Sequence, residues 1–332
     1  MASFEEIGPR SPVTESIRVD KVSPQARLFK NLRALAVLVL ALVGLIPVFA
    51  MGVTALKSRA DVVAVPPRIV FEPTLEGFVF LLTERSQLSG AALTTAQENA
   101  EDLGLFERIA LANGQRINGP SDFVMRLRNS LIIAGGSTIA SVTLGLFAAY
   151  AFSRFNIPGK DDLLFFILST RMLPAVVVAV PLFLMYRQLG LHDTHLGMIL
   201  LYTVFNLSLT VWLLKGFIDE IPREYEEAAL VDGYTRLQAF FKIVLPQATT
   251  GIAATTVFSF IFAWNEYAFA LMMTSNTART APPAIATMLG RGGIEWSAIA
   301  AGTLAFLIPV VIITFALRRH LLRGVTFGAI RQ

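Results

Sequence analysis

The sequence contains no cysteine and only three histidines among its 332 residues. Without thiolates, the chain cannot form disulfides, hold an iron–sulfur cluster or bind zinc through sulfur. Charged residues make up 16% of the chain, against about a quarter in a typical soluble domain. The formal net charge of +4 is spread along the chain without a polybasic run, so nucleic acid is not expected as a partner.

Patterns for catalysis and for nucleotide binding are missing as well. No G-x-x-x-x-G-K-[ST] pattern occurs, so we do not expect the chain to bind ATP through a P-loop. His192 and His195 flank Asp193 in a short loop, but no cluster of further carboxylates supports a metal site there. Because no nucleophile–base arrangement is visible either, the chain is not expected to be an enzyme, and no cofactor is predicted within it.

Hydrophobic residues dominate the sequence, with 54% of the chain and a mean hydropathy of +0.61. They form blocks near or above the roughly 18 residues that indicate a transmembrane helix. The sequence therefore predicts an all-α polytopic membrane protein with six transmembrane helices. The predicted spans are 34–54, 129–152, 163–186, 196–215, 247–272 and 297–317.

The first apolar run, Ala34–Val53, favours a retained membrane helix over a cleaved signal peptide. A polar segment of more than thirty residues precedes it, and no clear small-residue cleavage site follows it.

Lys and Arg in the short connections predict the orientation of the spans. The short loops of one side hold only Arg187, Arg279 and Arg291. The other side holds Arg27, Lys30, Arg33, Arg154, Lys160, Lys215, Arg223, Arg236, Lys242, Arg318, Arg319 and Arg323. We therefore expect the N and C termini to be cytoplasmic.

This orientation divides the chain into segments. The predicted segments are a cytoplasmic tail (1–33), the first helix (34–54), an extracytoplasmic loop (55–128), a five-helix core (129–317) and a cytoplasmic tail (318–332). Within the loop, the insertion 84–120 has the pattern of polar helix and turn. A lid, a docking surface and a surface insertion without chemistry all remain open for it.

A polar island, Asp219–Gln247, interrupts the apolar blocks on the cytoplasmic side. Pro222 suits the first turn of a helix, and three glutamates follow near the positive end of its dipole. Gly233 is a natural helix stop. Thr235 and Gln238 have the spacing of a capping box that begins a second helix. The residues predict a helix–turn–helix, which either packs on its own bundle or offers its small residues and a carboxylate to a partner.

The stretch "EAALVDGYTRLQAFFKIVLP" resembles the EAA-x3-G-x9-I-x-L-P signature of the permease subunits of bacterial ABC importers. The matching residues are Glu227, Ala228, Ala229, Gly233, Ile243, Leu245 and Pro246. The resemblance implies the type I importer permease fold and a coupling helix, 222–233, that docks on an ATPase subunit. The implied ATPase-coupling residues are Glu227, Ala228, Ala229, Asp232 and Gly233, together with Gly324 and Gly328 of the C-terminal tail.

Other stretches resemble the carbohydrate branch of this family, in particular the smaller permease of maltose-type importers. They include "NSLIIA", "AYAFSRF", "FAWNEYAFAL" and "RRHLLRGVTFGAIRQ", and the likeness runs from Leu35 to the C terminus except for Glu84–Pro120. It implies import of a sugar or sugar-like solute (an oligosaccharide, glycoside or polyol) across the bacterial inner membrane. The implied partners are a second homologous permease, two ATPase subunits that bind ATP and Mg, and an extracytoplasmic solute-binding protein.

Polar residues within the spans are candidates for a solute pathway, because polar groups in lipid are costly and usually face a cavity or another helix. Thr203, Asn206 and Thr210 share one helical face, as do Thr255, Ser259 and Glu266. Trp264 and Asn265 could offer an aromatic platform and an amide. Arg171 lies roughly 12 Å into its span at 1.5 Å per residue. The candidate pathway residues are Arg171, Thr203, Asn206, Thr210, Ser259, Trp264, Asn265 and Glu266.

Two simpler interpretations of these residues stay open: interhelical hydrogen bonds, and an interfacial aromatic belt. Among rival functions, a stand-alone secondary transporter or channel would show paired membrane carboxylates or inverted repeats with broken helices, and neither is clear in the sequence. An integral membrane enzyme would need a polar catalytic cluster. The residues do not identify the solute.

Overall fold

In the computed structural model of the chain, residues 24–290 and 293–328 are described. The chain divides into two compact units, Met1–Phe49 and Ala50–Gln332. The described part of the first unit belongs to helix α1 (Pro24–Ala55). Its segment Phe29–Ala55 has a mean hydropathy of 2.8, which is typical of a membrane span.

Long apolar helices dominate the second unit as well. Four helices of the described chain are long and apolar enough to cross a membrane. They are α1, α6 (Phe123–Arg154), α9 (His195–Asp219) and α16 (Trp296–Gly328). The count rises to six if each of two bent helix pairs forms one span. The prediction of a polytopic helical protein is thus confirmed, and the predicted six spans are the upper limit of what these helices provide.

The first bent pair occupies the predicted third span, 163–186. Helix α7 (Lys160–Ser169) and a 3-10 turn lead into α8 (Ala175–Gln188) at an angle of 92°. The cause is Pro174, because proline disfavours helical backbone in the residue before it. Leu173 is accordingly extended, with ψ of 124°. The continuous third span that the hydropathy predicts is therefore wrong in its geometry.

The second bend, of 74°, lies at the start of the predicted fifth span, between Gln247 and Thr249. Pro246 cannot donate to the carbonyl four residues earlier, and the preceding turn widens into a π-helix, Phe240–Val244. The helices of this region are α11 (Arg236–Ala239), α12 (Leu245–Gln247), α13 (Thr249–Trp264) and α14 (Ala268–Met273). The predicted span 247–272 is therefore interrupted between α13 and α14.

The core of the second unit is a bundle in which α6 packs along α9, while α13 packs against α6, α9 and α16. Gly145 allows α6 and α9 to approach closely, since a Cβ there would lie 2.5 Å from Cγ2 of Thr210. A cluster of buried apolar side chains fills the bundle. Its larger members are Ile133, Met198, Tyr202, Phe260, Trp264 and Met273.

The segment between α1 and α6 contains the two strands of an antiparallel hairpin, β1 (Thr83–Gln87) and β2 (Gln115–Pro120). Helices α4 (Ala91–Glu98) and α5 (Leu105–Ala112) lie between the strands in sequence. The all-α prediction therefore fails here, because the insertion 84–120 includes a hairpin in addition to helix and turn. The remaining short elements are α2 (Arg59–Val62), α3 (Glu76–Leu82), α15 (Ala281–Ala286), β3 (Leu289–Gly290) and β4 (Gly293–Ile294).

A buried ion pair connects the insertion to the residue before α16. Nη2 of Arg85 in β1 donates to Oε2 of Glu295 at 2.9 Å, and each side chain is only 9% exposed. The guanidinium also lies 3.7 Å from the ring centroid of Phe80. Burial lowers the pKa of Arg85, and Glu295 opposes that effect. The insertion is thereby bound to the rest of the second unit by charge as well as by packing.

Helix ends do not coincide with three of the predicted segment boundaries, and the assignment of the segments to the two sides of the membrane stays a prediction. Helix α6 begins at Phe123, within the predicted loop 55–128, and α1 begins at Pro24, within the predicted tail 1–33. Helix α16 continues to Gly328, so most of the predicted tail 318–332 is helical. The remaining tail residues, 1–23 and 329–332, lie outside the described residues.

Candidate functional site

The EAA signature forms helix α10 (Glu224–Val231), which we call the EAA helix. It ends at Gly233, whose φ is +89°, as predicted for a glycine stop. The N–H of Gly233 donates to the carbonyl of Leu230 at 3.1 Å, and the N–H of Tyr234 donates to that of Ala229 at 3.0 Å. These two bonds form a Schellman motif, so the turn after the EAA helix is fixed by its own backbone.

The start of the EAA helix differs slightly from the prediction. Pro222 lies before the N-cap residue Arg223, and not in the first helical turn. The second predicted signal is confirmed: Thr235 and Gln238 form a reciprocal capping box, with bonds of 2.8 and 3.2 Å. The chain therefore leaves the EAA helix and enters α11 in a single defined geometry.

The EAA helix has one buried face and one exposed face. Glu226 and Ala229 are 7% and 4% exposed, whereas Val231 is 87% exposed. Of the predicted ATPase-coupling residues in this segment, only Ala229 lies on the buried face. The others are exposed, namely Glu227, Ala228, Asp232 and Gly233.

Glu226 binds the EAA helix to the end of α6. Its Oε1 accepts a hydrogen bond from Nε of Arg154, and its Oε2 accepts one from the hydroxyl of Tyr150 at 2.9 Å. Arg154 also donates to the carbonyl of Ile221 at 2.9 Å. The side chains of Arg154 and Glu226 are only 5% and 10% exposed. Separating them would leave uncompensated buried charge, which makes this contact costly to break.

A second set of hydrogen bonds ties the end of α9 to the same corner. The hydroxyl of Ser153 donates to Asp219 at 2.5 Å, and Lys215 donates to the other oxygen of that carboxylate at 2.5 Å. Arg223, the residue before the EAA helix, donates to the carbonyl of Ser153 at 2.8 Å. The ends of α6 and α9 and the start of the EAA helix therefore form one connected polar junction.

The π-helical segment after α11 packs beneath this junction. Phe240 and Val244 are fully buried against Leu146 of α6 and Leu214 of α9. The ring of Phe240 lies 4.7 Å from that of Tyr150, which in turn binds Glu226. This apolar cluster therefore packs directly against the polar junction through the ring of Tyr150.

The sequence did not identify Glu226 or Arg154 as functional residues. Glu226 directly precedes the signature glutamate, and Arg154 counts only toward the orientation of the spans and toward the family likeness of its stretch. A usable signal existed, because Glu226 and Ala229 are three residues apart and must share a helical face. The spacing groups these two residues, and the structure shows that theirs is the buried face.

Three of the eight candidate pathway residues line one cavity of about 150 Å³ within the bundle. They are Arg171, Asn206 and Glu266. The remaining lining residues are Tyr202, Phe205, Phe262, Ala263 and Phe269. Pockets that enclose small molecules are usually about 300–1,000 Å³. In this conformation the cavity is therefore too small to enclose a sugar-sized solute completely.

Arg171 projects a charged group toward this cavity from the bend between α7 and α8. Its guanidinium lies 4.3 Å from the ring centroid of Phe262, and its Nη1 has no hydrogen-bond acceptor. Within the described part of the chain, no carboxylate lies within 4.0 Å of it. Arg171 is thus a cation without a counter-ion in this arrangement.

Glu266, by contrast, is fully engaged. Its carboxylate accepts hydrogen bonds from the hydroxyl of Tyr202 at 2.7 Å and from the backbone N–H groups of Phe269 and Ala270 at 2.9 and 3.0 Å. It therefore caps the start of α14 and connects it to α9.

Two polar residues of α9 form hydrogen bonds with α13. Asn206 donates to the carbonyl of Ser259 at 3.1 Å, and Thr210 lies 3.1 Å from the Ser259 hydroxyl. Thr203 bonds within its own helix, to the carbonyl of Ile199 at 2.7 Å. These contacts match the interpretation of interhelical and intrahelical hydrogen bonding, and a pathway role for these residues stays a prediction.

Two further candidates lie at the end of α13, in opposite environments. Trp264 is 1% exposed, stacks between Phe260 and Phe306, and donates to the carbonyl of Phe306 at 3.1 Å. It cannot contact a solute in this conformation. Asn265 is exposed, and its side chain donates to the carbonyl of Ile261 at 2.8 Å. The sequence alone did not predict that Trp264 is buried and its neighbour Asn265 exposed.

The remaining predicted residues are placed as follows. Gly324 and Gly328 lie in the final turns of α16, and their contact with an ATPase stays a prediction. His195 makes a 2.8 Å hydrogen bond with Asn129, and the ring of His192 packs edge-on against Phe183.

Comparison with known proteins places these features in a family. A family model described as a binding-protein-dependent transport system inner membrane component matches residues 141–327. A probable ABC transporter permease, y4oR of Sinorhizobium fredii, is 30% identical over 293 residues, which cover 88% of this chain and 92% of the relative. The trehalose transport system permease SugB of Mycobacterium tuberculosis is 39% identical over 212 residues, covering 63% and 77% of the two chains.

A solved structure agrees with the fold. A chain from the crystal structure of a bacterial ABC transporter involved in import of the acidic polysaccharide alginate superposes with a TM-score of 0.60. The match covers 90% of this chain and 98% of that one at 20% identity. The resemblance predicted from the EAA signature is thereby confirmed. The chain belongs to the family of inner membrane components of binding-protein-dependent transport systems, the permease subunits of ABC transporters.

Proposed function

We propose that the chain is the permease subunit of an ATP-driven importer that moves a sugar or sugar-like solute across the bacterial inner membrane. The solute would be an oligosaccharide, glycoside or polyol. The chain would work with a second homologous permease, two ATPase subunits that bind ATP and Mg, and an extracytoplasmic solute-binding protein. The N and C termini and the EAA helix would face the cytoplasm.

One observation carries the proposal: the EAA helix presents an exposed face while its other face is held rigidly. Glu227, Ala228 and Asp232 are exposed, and their neighbour Glu226 is locked to α6. The small side chain of Ala228 allows a partner surface to approach closely, and the exposed carboxylate of Glu227 can pair with a partner's Arg or Lys. A docking helix can transmit force to the membrane helices only if it is firmly attached to them, as Glu226 attaches this helix to α6.

The solute class is supported by the relatives and by the cavity. The relatives include permeases named for transport of trehalose, of trehalose and maltose, and of diacetylchitobiose. Arg171, Asn206 and Glu266 bring polar groups to one cavity among aromatic rings, a combination that suits hydroxyl-rich solutes. We assign the pathway to this cavity, which would widen against the second permease during transport.

Reconstitution tests the proposal. The complete transporter is placed in liposomes, and uptake is measured for radiolabelled oligosaccharides, glycosides and polyols that the solute-binding protein binds in a prior titration. We expect uptake that requires both ATP and the binding protein. The double variant Glu227→Arg/Gly233→Trp should lose ATPase association and uptake, while Glu98→Arg, an exposed change in the insertion, should retain both.

The alternative is a secondary transporter or channel that works alone. It would show uptake by the chain without ATPase subunits, driven by a solute or ion gradient. Such uptake, or normal ATP-coupled uptake by the double variant, would refute the proposed coupling.

A further inference from the structure

On the buried face of the EAA helix, Glu226 forms an ion pair with Arg154, and docking on a partner through the exposed face does not require this pair. The signature glutamate, Glu227, is exposed and forms no side-chain hydrogen bond within the described residues. Its neighbour Glu226 uses both carboxylate oxygens, one for Arg154 and one for Tyr150. Two adjacent glutamates therefore have opposite surroundings.

We propose that the Glu226–Arg154 ion pair is the element that transmits movement of the EAA helix to the membrane helix α6. The inference rests on the proposed coupling to ATPase subunits and assigns a positioning role within it. Glu227 would contact the partner, and Glu226 would pass the motion on. The two glutamates would therefore fail in different ways when they are substituted.

The geometry of Arg154 supports this division. Arg154 is the last residue of α6, and its guanidinium reaches three separate groups: Glu226, the carbonyl of Ile221 and the hydroxyl of Ser153 at 3.0 Å. Because the guanidinium is planar and rigid, several bonds to it fix direction as well as distance. A displacement of the EAA helix would therefore pull the end of α6 with it.

The path beyond Arg154 also has a structural basis. Helix α6 continues for 32 residues and packs closely against α9, without a proline inside it. It also reaches Asn129, whose amide donates to the carbonyls of Thr277 and Arg279 in the loop after α14. One unbroken helix thus connects the EAA helix at one end of the bundle with the α14–α15 loop at the other.

Neighbouring contacts do not provide an equivalent connection. Within the described chain, the side chain of Arg223 donates to the carbonyl of Ser153 alone, and Arg223 precedes the EAA helix. The other buried residue of the helix, Ala229, has no polar side chain. Among the described residues, Glu226 is therefore the side chain of the EAA helix that bonds to a membrane helix.

The test measures ATP hydrolysis and solute uptake in the same proteoliposomes, using the complete transporter with its binding protein. The key variant is Glu226→Gln, which preserves shape and removes charge. The matched control is Glu224→Gln, an exposed glutamate in the first turn of the same helix. We expect Glu226→Gln to co-purify with the ATPase subunits and hydrolyse ATP within about twofold of the unsubstituted complex. Uptake per ATP should fall at least tenfold, and the control should leave that ratio unchanged.

A purely structural role would lower hydrolysis, uptake and yield together, so the ratio of uptake to hydrolysis would stay constant. A ratio within twofold of the unsubstituted complex for Glu226→Gln overturns the proposal. If the unsubstituted complex shows no ATP-dependent uptake, the proposed function fails instead, and the two failures are thereby distinguished.

Two further variants keep the test decisive if Glu226→Gln folds poorly. Tyr150→Phe removes one hydrogen bond to Glu226 and preserves the ring against Phe240. We expect its uptake per ATP to lie between that of Glu226→Gln and that of the unsubstituted complex. The chain has no native cysteine, so in a complex whose other subunits lack accessible cysteines a short bis-maleimide can join Arg154→Cys/Glu226→Cys specifically. The joined form should regain uptake per ATP relative to the same variant before reaction, and no regain would count against the proposal.

Discussion

The carboxylate of Asp193, between α8 and α9, accepts a hydrogen bond from the backbone N–H of Thr277 at 3.0 Å across 84 residues of sequence. Three more N–H groups, those of Ser275, Asn276 and Ala278, bond to the same carboxylate at 2.9 to 3.1 Å. One side chain thus satisfies four consecutive backbone donors of the loop after α14. Burial raises the pKa of Asp193, but the four N–H donors together lower it by more than burial raises it. The resulting pKa is about 2.

This carboxylate predicts a pH dependence of stability. Because the folded pKa lies below the ordinary value of 3.8, the ionised group stabilises the fold fully above pH 3.8, and the contribution is lost as the pH falls toward 2. The contribution is about 1 to 2 kcal/mol once partial exposure is allowed for. Thermal unfolding of the solubilised protein across this pH range measures it. Asp193→Asn, which tolerates the φ of +55°, should remove most of the dependence, whereas Asp122→Asn, at an exposed ion pair, should preserve it. Equal pH profiles for all three proteins would contradict the assignment.

Because Arg85 and Glu295 form a buried ion pair, we expect the stability losses of the two single substitutions not to add up in the double variant. Replacing either residue alone by Leu leaves a buried charge without a partner, which costs about 3 to 5 kcal/mol. Replacing both removes the charge altogether and should restore most of the loss. Hydrogen exchange of the β1–β2 backbone provides the measurement, since the pair attaches this hairpin to the start of α16. Additive losses in the double variant would show that the two charges act independently.

At Gly233 we expect ATP-dependent uptake to depend on how well the substituted residue tolerates a positive φ. A Cβ at this position would meet no atom within 4 Å, so the φ of +89° alone opposes substitution. Asn tolerates positive φ better than Ala does, and a non-glycine residue there costs about 1 kcal/mol or more. ATP-dependent uptake should therefore fall in the order Gly, Asn, Ala. Gly216→Ala, in the exposed part of a regular helix with equal free space, should be neutral or stabilising. If Ala and Asn behave alike at position 233, backbone strain is not the cause.

Local signals made the EAA region predictable. The stop at Gly233 and the capping box of Thr235 and Gln238 depend on residues within four positions of one another, and both are confirmed. The family signature likewise rests on short fixed spacing. Features of this kind follow from backbone chemistry that the sequence states directly.

Features that depend on distant partners were not predictable. Strand β1 is short and polar, and it pairs with residues about thirty positions later, so no alternating pattern marks it. Hydropathy predicts a continuous third span, 163–186, and does not report the 92° bend there, although Pro174 offered a cue. The contacts of Glu226 needed the position of α6, 72 residues away. Burial of Trp264 depended on Phe306 of a different helix in the same way.

Trp264 allows the structural and the solute-binding interpretations of a pathway residue to be separated. Its indole N–H donates to the carbonyl of Phe306, and its ring is sandwiched between two phenylalanines. Trp264→Phe preserves an aromatic ring but loses that hydrogen bond and part of the packing, so we expect about 1 to 3 kcal/mol of lost stability. Because the ring is 1% exposed, the KM for uptake should remain unchanged while the thermal unfolding midpoint falls. Asn265→Ala, at the exposed neighbour, should show the opposite behaviour if that amide contacts the solute: an unchanged midpoint and a raised KM. A raised KM for Trp264→Phe at unchanged stability would mean that the ring leaves its buried position during transport.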